Sequence, residues 1–229
     1  MDAAAADDDV RAAILTGAGK YYCAGVDFAG GIAPMHPSKL REMIREENEK
    51  LFRTFIDFSK PLIVAANGPA IGAGVTSSFL SDAIVASEEA TFLTPFKTLG
   101  LVPEGCSSFL FPRAFGEDMA KQLLEGKLLS AQEALEIGYC AHVVPSDQVQ
   151  DKAQEVAEEW AGKTRKIVAE GLVDKLIEVN GRESIALANA MLDYPFLNHM
   201  VNFTYQKGKY APMLIFALVR ALRPLWSRL

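Results

Sequence analysis

Two rhythms of apolar positions run along this chain. Val10 to Leu15 and Leu62 to Ala66 are short, nearly continuous apolar runs. Turn residues end each of them, Thr16-Gly17-Ala18-Gly19 after the first and Asn67-Gly68-Pro69 after the second. Runs of this length with these flanks predict buried strands. Ala83 to Ala86 predicts a third strand and Thr91 to Thr94 a fourth. Between the first two, Lys39 to Phe58 sets Leu40, Met43, Ile44, Leu51, Phe52, Phe55 and Ile56 at helical spacing with charges opposite, which predicts an amphipathic helix. Strands alternating with helices imply an α/β core with parallel pairing. From Cys106 onward the pattern predicts helices alone. A capping box at Ser130 and Glu133 opens one that stops at Gly138, and others are expected over 147–161, 164–179 and 181–193. No repeat or low-complexity linker divides the chain. One domain over 1–205 is the reading, with a core at 10–145 and a helical part at 146–205.

The tail, 206–229, stands apart. It has no acid, but it carries Lys207, Lys209, Arg220, Arg223 and Arg228, and Met213 to Leu222 is apolar except for Arg220. Such a helix packs on the core, packs on a partner subunit or lies on a membrane surface; the two packing readings are the commoner fate.

Composition narrows the function classes. The chain has 229 residues, half of them hydrophobic, and a net charge of −6. Its mean hydropathy is +0.11. That is enough chain to bury a real core, and there is no broad basic field of the kind nucleic acid would need. Cys23, Cys106 and Cys140 are odd in number and scattered, which fits neither a disulfide framework nor a zinc site and points to a reducing compartment. His36, His142 and His199 lie far apart without acidic neighbours at ligand spacing, so no metal site is expected. No signal-peptide pattern opens the chain and no apolar run is long enough to span a membrane.

Several motifs fail on inspection. Thr16-Gly17-Ala18-Gly19-Lys20 lacks the first glycine and the final hydroxyl of a phosphate-binding loop, having Ile14 and Tyr21 there. The glycines at 72–74 lack the dinucleotide fingerprint, and no GxSxG elbow occurs. Cys106 has no histidine near it in sequence and reads as a buried thiol. Glu104 is different. It stands in Leu99-Gly100-Leu101-Val102-Pro103-Glu104-Gly105-Cys106-Ser107-Ser108, a carboxylate among apolar and small residues. Desolvation disfavours a charged carboxylate and raises its pKa, which is what a general base near neutral pH requires. A solvent-facing turn residue would carry the same sequence.

Two small-residue loops follow strand-like segments: Tyr22-Cys23-Ala24-Gly25-Val26-Asp27, and Asn67 to Gly74. Small residues let a ligand approach the backbone, and two amides aimed at one oxygen would make an oxyanion hole. With Glu104 they suggest proton removal beside a carbonyl, the enolate oxygen being held by backbone donors.

The run from Ile14-Leu15-Thr16-Gly17 through Cys23-Ala24-Gly25-Val26-Asp27, then Ala66 to Gly74, resembles the crotonase (enoyl-CoA hydratase/isomerase) superfamily over about 10–207. The third block, Pro95-Phe96 through Ser108, resembles its peroxisomal Δ3,Δ2-enoyl-CoA isomerase branch. The resemblance implies a spiral of ββα units, a helical C-terminal trimerisation region, a homotrimer or hexamer, and acyl-CoA thioester substrates, with coenzyme A as part of the substrate and no separate cofactor. It implies Ala24 and Ala73 as oxyanion donors, and Ala24, Gly25, Val26, Asp27, Phe28, Gly72 and Phe96 as substrate contacts. Hydratases use two glutamates, whose positions correspond here to Thr76 and Phe96, so Glu104 is left as a single acid/base. A double-bond shift from 3-enoyl-CoA to trans-2-enoyl-CoA needs only one, taking a proton from C2 and returning it to C4. Each oxyanion donor would supply roughly 2.7–4 kcal/mol of barrier reduction, and proton transfer on the order of 10²–10⁴-fold. A non-catalytic acyl-CoA-binding or assembly subunit, or a hydratase, is the alternative. Against the family's pattern, the N-terminal strand pair is missing and the tail runs past the usual end. Ser227-Arg228-Leu229 is a conservative variant of the Ser-Lys-Leu address, so the resemblance implies a peroxisome or glycosome-like organelle and its import receptor, with a mitochondrial or cytoplasmic location as the alternative.

Overall fold

The protein is described by a computed structural model over residues 1–27 and 35–226. Phe28 and Ser227-Arg228-Leu229 fall outside the described residues. Seven strands occur in chain order: β1 (Ala13–Thr16), β2 (Leu62–Ala66), β3 (Ala70–Ile71), β4 (Ala83–Ser87), β5 (Thr91–Leu93), β6 (Leu129–Ser130) and β7 (His142–Val144). The helices are α1 (Asp2–Ala6), α2 (Pro37–Ile56), α3 (Ala73–Ser78), α4 (Phe96–Leu99), α5 (Ser107–Phe115), α6 (Glu117–Leu124), α7 (Ala131–Glu136), α8 (Val149–Trp160), α9 (Lys166–Ala169), α10 (Val173–Met191), α11 (Tyr194–Gln206) and α12 (Tyr210–Trp226).

The α/β class is as expected. One sheet is parallel throughout, in the order β1-β2-β4-β7. The other has the order β3-β5-β6, parallel then antiparallel. β2 is buried along its whole length because both faces are covered. Side chains alternate across a strand, so Ile63 and Ala65 meet Val149, Ala153 and Val156 of α8. Val64 and Ala66 point the other way, into a core with Phe92, Phe111 and Tyr139. A third cluster joins Phe52, Phe55 and Ile56 of α2 to Leu176 and Val179 of α10.

Local chemistry explains most boundaries. α2 starts earlier than its apolar stripe, because Pro37 occupies the first turn and His36 accepts from the Ser38 amide at 3.3 Å. The capping box forms as expected, with reciprocal Ser130 and Glu133 bonds of 3.2 and 2.9 Å. β1 is shifted by a few residues toward Thr16, whose following turn is tied down by Asn67: its Oδ1 accepts from the Gly17 amide at 2.9 Å and its Nδ2 donates to Gly19 O at 2.9 Å.

The chain after Cys106 is not helical throughout. β6 and β7 lie in that half, too short for any period to show, and β7 is held by pairing with β4, distant in sequence. The expected helices 164–179 and 181–193 are also corrected. A short α9 comes first, and then α10 runs unbroken through Gly181. A helical glycine costs on the order of 1 kcal/mol, which burial of Leu176, Val179, Leu187 and Ala188 on the same helix overrides. Arg165, just before α9, is 1 % exposed and donates to Asp82 and to the carbonyls of Phe55, Phe58 and Leu80. Asp82 in turn accepts from the Leu62 and Lys166 amides, tying β2, α2 and α9 together. The tail helix α12 folds onto α11, with Phe216 buried against Phe196, Leu197 and Met200. A membrane-facing role for Phe216 is thereby excluded, whereas Leu214 and Leu218 are exposed.

Candidate active site

Backbone pairing brings the two small-residue loops together. The Ile71 amide donates to Cys23 O at 2.9 Å, and Cys23 N donates to Pro69 O at 3.3 Å. Gly74 allows the approach: a Cβ there would lie 2.5 Å from that of Cys23. Gly72, at φ +57, makes the turn into α3, a conformation that L side chains rarely adopt. Ala24 follows directly on the paired Cys23, and Ala73 is the first residue of α3, where amides lack an intrahelical acceptor. Among the described residues neither the Ala24 nor the Ala73 N–H has a protein acceptor.

Both alanines open onto a cavity of about 580 Å³. Gly25, Val26, Gly72, Phe96 and Glu104 also line it, while Met43, Ile44 and Leu51 of α2 and Leu187 and Met191 of α10 make its apolar wall. Asp27 is not among the lining residues; it is exposed beyond Val26. Thr76 is buried in α3, and Phe96 supplies an apolar wall.

Glu104 sits between α4 and α5 and is 7 % exposed. Its Oε2 accepts from Asn48 Nδ2 at 2.7 Å. Burial pushes the carboxyl up to about 7; the Asn48 hydrogen bond works against this, and the nearby Glu183 charge adds to it. The arrangement can take up and release a proton near neutral pH, in a largely apolar cavity that is also lined by two residues whose amides have no protein acceptor among the described residues.

Sequence reasoning missed the groups behind Glu104. Asn48 Oδ1 accepts from Ser184 Oγ at 2.9 Å, and Asn180 Nδ2 donates to Glu49 O at 2.9 Å. Glu47, exposed on α2, also lines the cavity, so Glu104 is not the single carboxylate there. A signal existed: Asn48 interrupts the apolar stripe of α2 four residues after Ile44, and Asn180, Glu183 and Ser184 share the buried side of α10 with Leu187.

The model of the enoyl-CoA hydratase/isomerase family matches residues 1–206. The chain belongs to that family. The enoyl-CoA delta isomerase 2 of Rattus norvegicus is 35% identical over 218 residues, covering 90% of this chain and 55% of the rat protein. The peroxisomal enoyl-CoA delta isomerase 3 of Mus musculus is 31% identical over 216 residues, covering 90% and 68%. The chromodomain Y-like protein 2 of Mus musculus is 33% identical over 213 residues, covering 89% of this chain and 42% of that protein. The chain thus spans about half the length of several curated relatives it matches. The crystal structure of an enoyl-CoA hydratase/isomerase from Pseudoalteromonas atlantica T6c superposes with a TM-score of 0.75 at 30% identity, covering 90% of this chain and 83% of that one. The family span ends at 206, so α12 lies beyond it.

Proposed function

We propose that this chain is an enoyl-CoA isomerase moving the double bond of a 3-enoyl-CoA to the trans-2 position, with Glu104 as the acid/base. The Glu104 carboxylate takes a proton from C2 of the thioester. The C2–H electron pair moves into the conjugated system and charge gathers on the thioester oxygen, facing the Ala24 and Ala73 amides. Glu104 then gives the same proton to C4, leaving the double bond between C2 and C3. No atom is gained or lost, coenzyme A enters only as part of the substrate, and no other cofactor is required. Gly25, Val26, Gly72 and Phe96 line the cavity that would take the acyl thioester. An apolar wall at Phe96 and an uncharged Thr76 buried in α3, in place of two further acids, disfavour water activation, and so hydration.

The observation that carries this reading is a buried carboxylate with its pKa raised to about 7, lining one cavity with two amides that have no protein acceptor. The names of the rat and mouse isomerases support it. Assembly as a homotrimer or hexamer, and a peroxisomal address read by an import receptor at Ser227-Arg228-Leu229, belong to the same proposal; the name of the mouse peroxisomal relative supports the location. The test is a coupled assay on 3-hexenoyl-CoA with the wild type and Glu104→Gln. The variant is expected to lose on the order of 10²–10⁴-fold in kcat, and retention of most activity sinks the assignment. The chain is also 33% identical to a protein whose name carries no isomerase activity, the chromodomain Y-like protein 2, which favours a second reading, an acyl-CoA-binding module without turnover. Calorimetric binding of hexanoyl-CoA without turnover of 3-hexenoyl-CoA would select it.

A further inference from the structure

Glu104 rides on a backbone that needs support. The two residues after it, Gly105 and Cys106, both have φ near +65°, and Cys106 is the one non-glycine with positive φ among the described residues. A side chain in that region costs roughly 1–2 kcal/mol, and such residues persist where surrounding contacts over-determine them. Gly105 is pressed against Phe52 and Thr76, where a Cβ would come within 2.5 and 2.7 Å of their nearest atoms.

The support comes from α10. Glu183 is 5 % exposed, and both of its oxygens are used on this one turn: Oε2 accepts from the Cys106 amide at 2.6 Å and Oε1 from the Ser108 amide at 2.9 Å. These are donors at the start of α5, which have no partner inside that helix. The next residue on α10, Ser184, holds Asn48, which holds the Glu104 carboxylate. One turn of α10 therefore grips Glu104 twice, at its backbone through Glu183 and at its carboxylate through Ser184 and Asn48.

We infer that Glu183 is a positioning residue, whose carboxylate fixes the turn that aims Glu104 into the cavity. The inference rests on the isomerase reading above. Ordinary helix capping would stabilise α5 without affecting turnover; positioning makes turnover depend on this carboxylate. The charge of Glu183 also reaches Glu104, Glu47 stands at the cavity wall, and Arg182 acts on Glu183 itself.

Two variants test it on the full chain. Glu183→Gln keeps the shape but sets an NH₂ against one of the two amides. Ser108→Pro removes the Ser108 amide donor together with the Ser108 hydroxyl that also bonds Glu183, and leaves the Glu183 charge in place. Ser108 is exposed, and α11 of this protein already carries Pro195 at the same helical position. Glu183→Gln is expected to lower kcat about 10- to 100-fold with KM changed less than about threefold, because small misplacements of a reacting group are costly. Ser108→Pro is expected to lower kcat by a smaller factor, again at nearly constant KM. If Glu183→Gln does not fold, Ser108→Pro decides alone. Lower melting temperature with unchanged kcat in the folded variants overturns the inference. If the wild type proves inactive, or Glu104→Gln matches it, the isomerase reading fails instead. The carbon-13 titration of the Glu104 carboxyl in Ser108→Pro, where the Glu183 charge is unchanged, then judges the positioning, a moved titration supporting it and an unmoved one overturning it.

Discussion

Asn48→Ala removes the one side-chain hydrogen bond on the Glu104 carboxylate among the described residues, a bond 2.7 Å long to a buried group. That bond stabilises the ionised form, so its loss must raise a pKa already at about 7. A hydrogen bond to a charged group contributes about 1.5–3 kcal/mol, and 1.36 kcal/mol corresponds to one pH unit. The carboxyl should therefore titrate roughly one to two pH units higher. At pH 7 the wild-type base is about half ionised; in the variant the ionised share drops to between about a tenth and a hundredth. The expected result is a roughly 5- to 50-fold lower kcat at pH 7 that recovers as pH rises toward about 9. Ser184 keeps Asn180 as a longer-range acceptor at 3.4 Å, so gross unfolding is not expected. The assay is kcat for 3-hexenoyl-CoA across about pH 6 to 9.5, with a melting curve at each pH. An acid limb that stays at the wild-type position, with activity lost evenly at every pH, would refute the reasoning.

Glu104→Gln should trade activity for stability. The folded-state pKa is raised from 4.5 to about 7, so ionisation is disfavoured in the fold, and stability is lost as pH rises between those values. The stability advantage of the Gln variant should widen by about 2 kcal/mol between pH 5.5 and 8 in urea titrations; a constant difference contradicts the burial argument. Gly74→Ala should push α3 off Cys23, where the added Cβ meets the Cys23 side chain at 2.5 Å, and should lower kcat at least tenfold by separating the Ala24 and Ala73 amides; wild-type turnover would show the two loops are not coupled. Arg165→Met leaves Asp82 charged and buried with its guanidinium partner gone, and should cost about 3–5 kcal/mol of unfolding free energy by chemical denaturation. An N-terminal fluorescent fusion should give peroxisome-like puncta that disappear when Ser227-Arg228-Leu229 is deleted, and puncta surviving that deletion contradict the proposed address.

Residue identity by itself settled the parts of this protein that rest on local rules. Short apolar runs closed by turn residues read as buried strands: β2 is buried throughout and β4 except at Ala83, whereas β1, expected to be buried, is only half-buried because it forms the edge of its sheet. Pro103-Glu104-Gly105 among apolar neighbours marked a carboxylate out of place, and Cys23-Ala24-Gly25 with Gly72-Ala73-Gly74 marked two stretches of backbone open to close approach. Only the tertiary structure decided what depends on distance along the chain. β7 exists because β4, more than fifty residues earlier, offers it an edge, and no three-residue pattern announces that. α10 continues through Gly181 because its buried neighbours outweigh one residue's propensity. Asn48, Glu183 and Ser184 gain their meaning from the contact of α2 and α10 with the Glu104 turn. A hydrogen bond joining residues 48 and 104, or 106 and 183, leaves no local mark beyond a polar residue on a helix's apolar side. Local patterns marked Glu104 and the two small-residue loops, and the packing of α10 determined what holds the Glu104 turn.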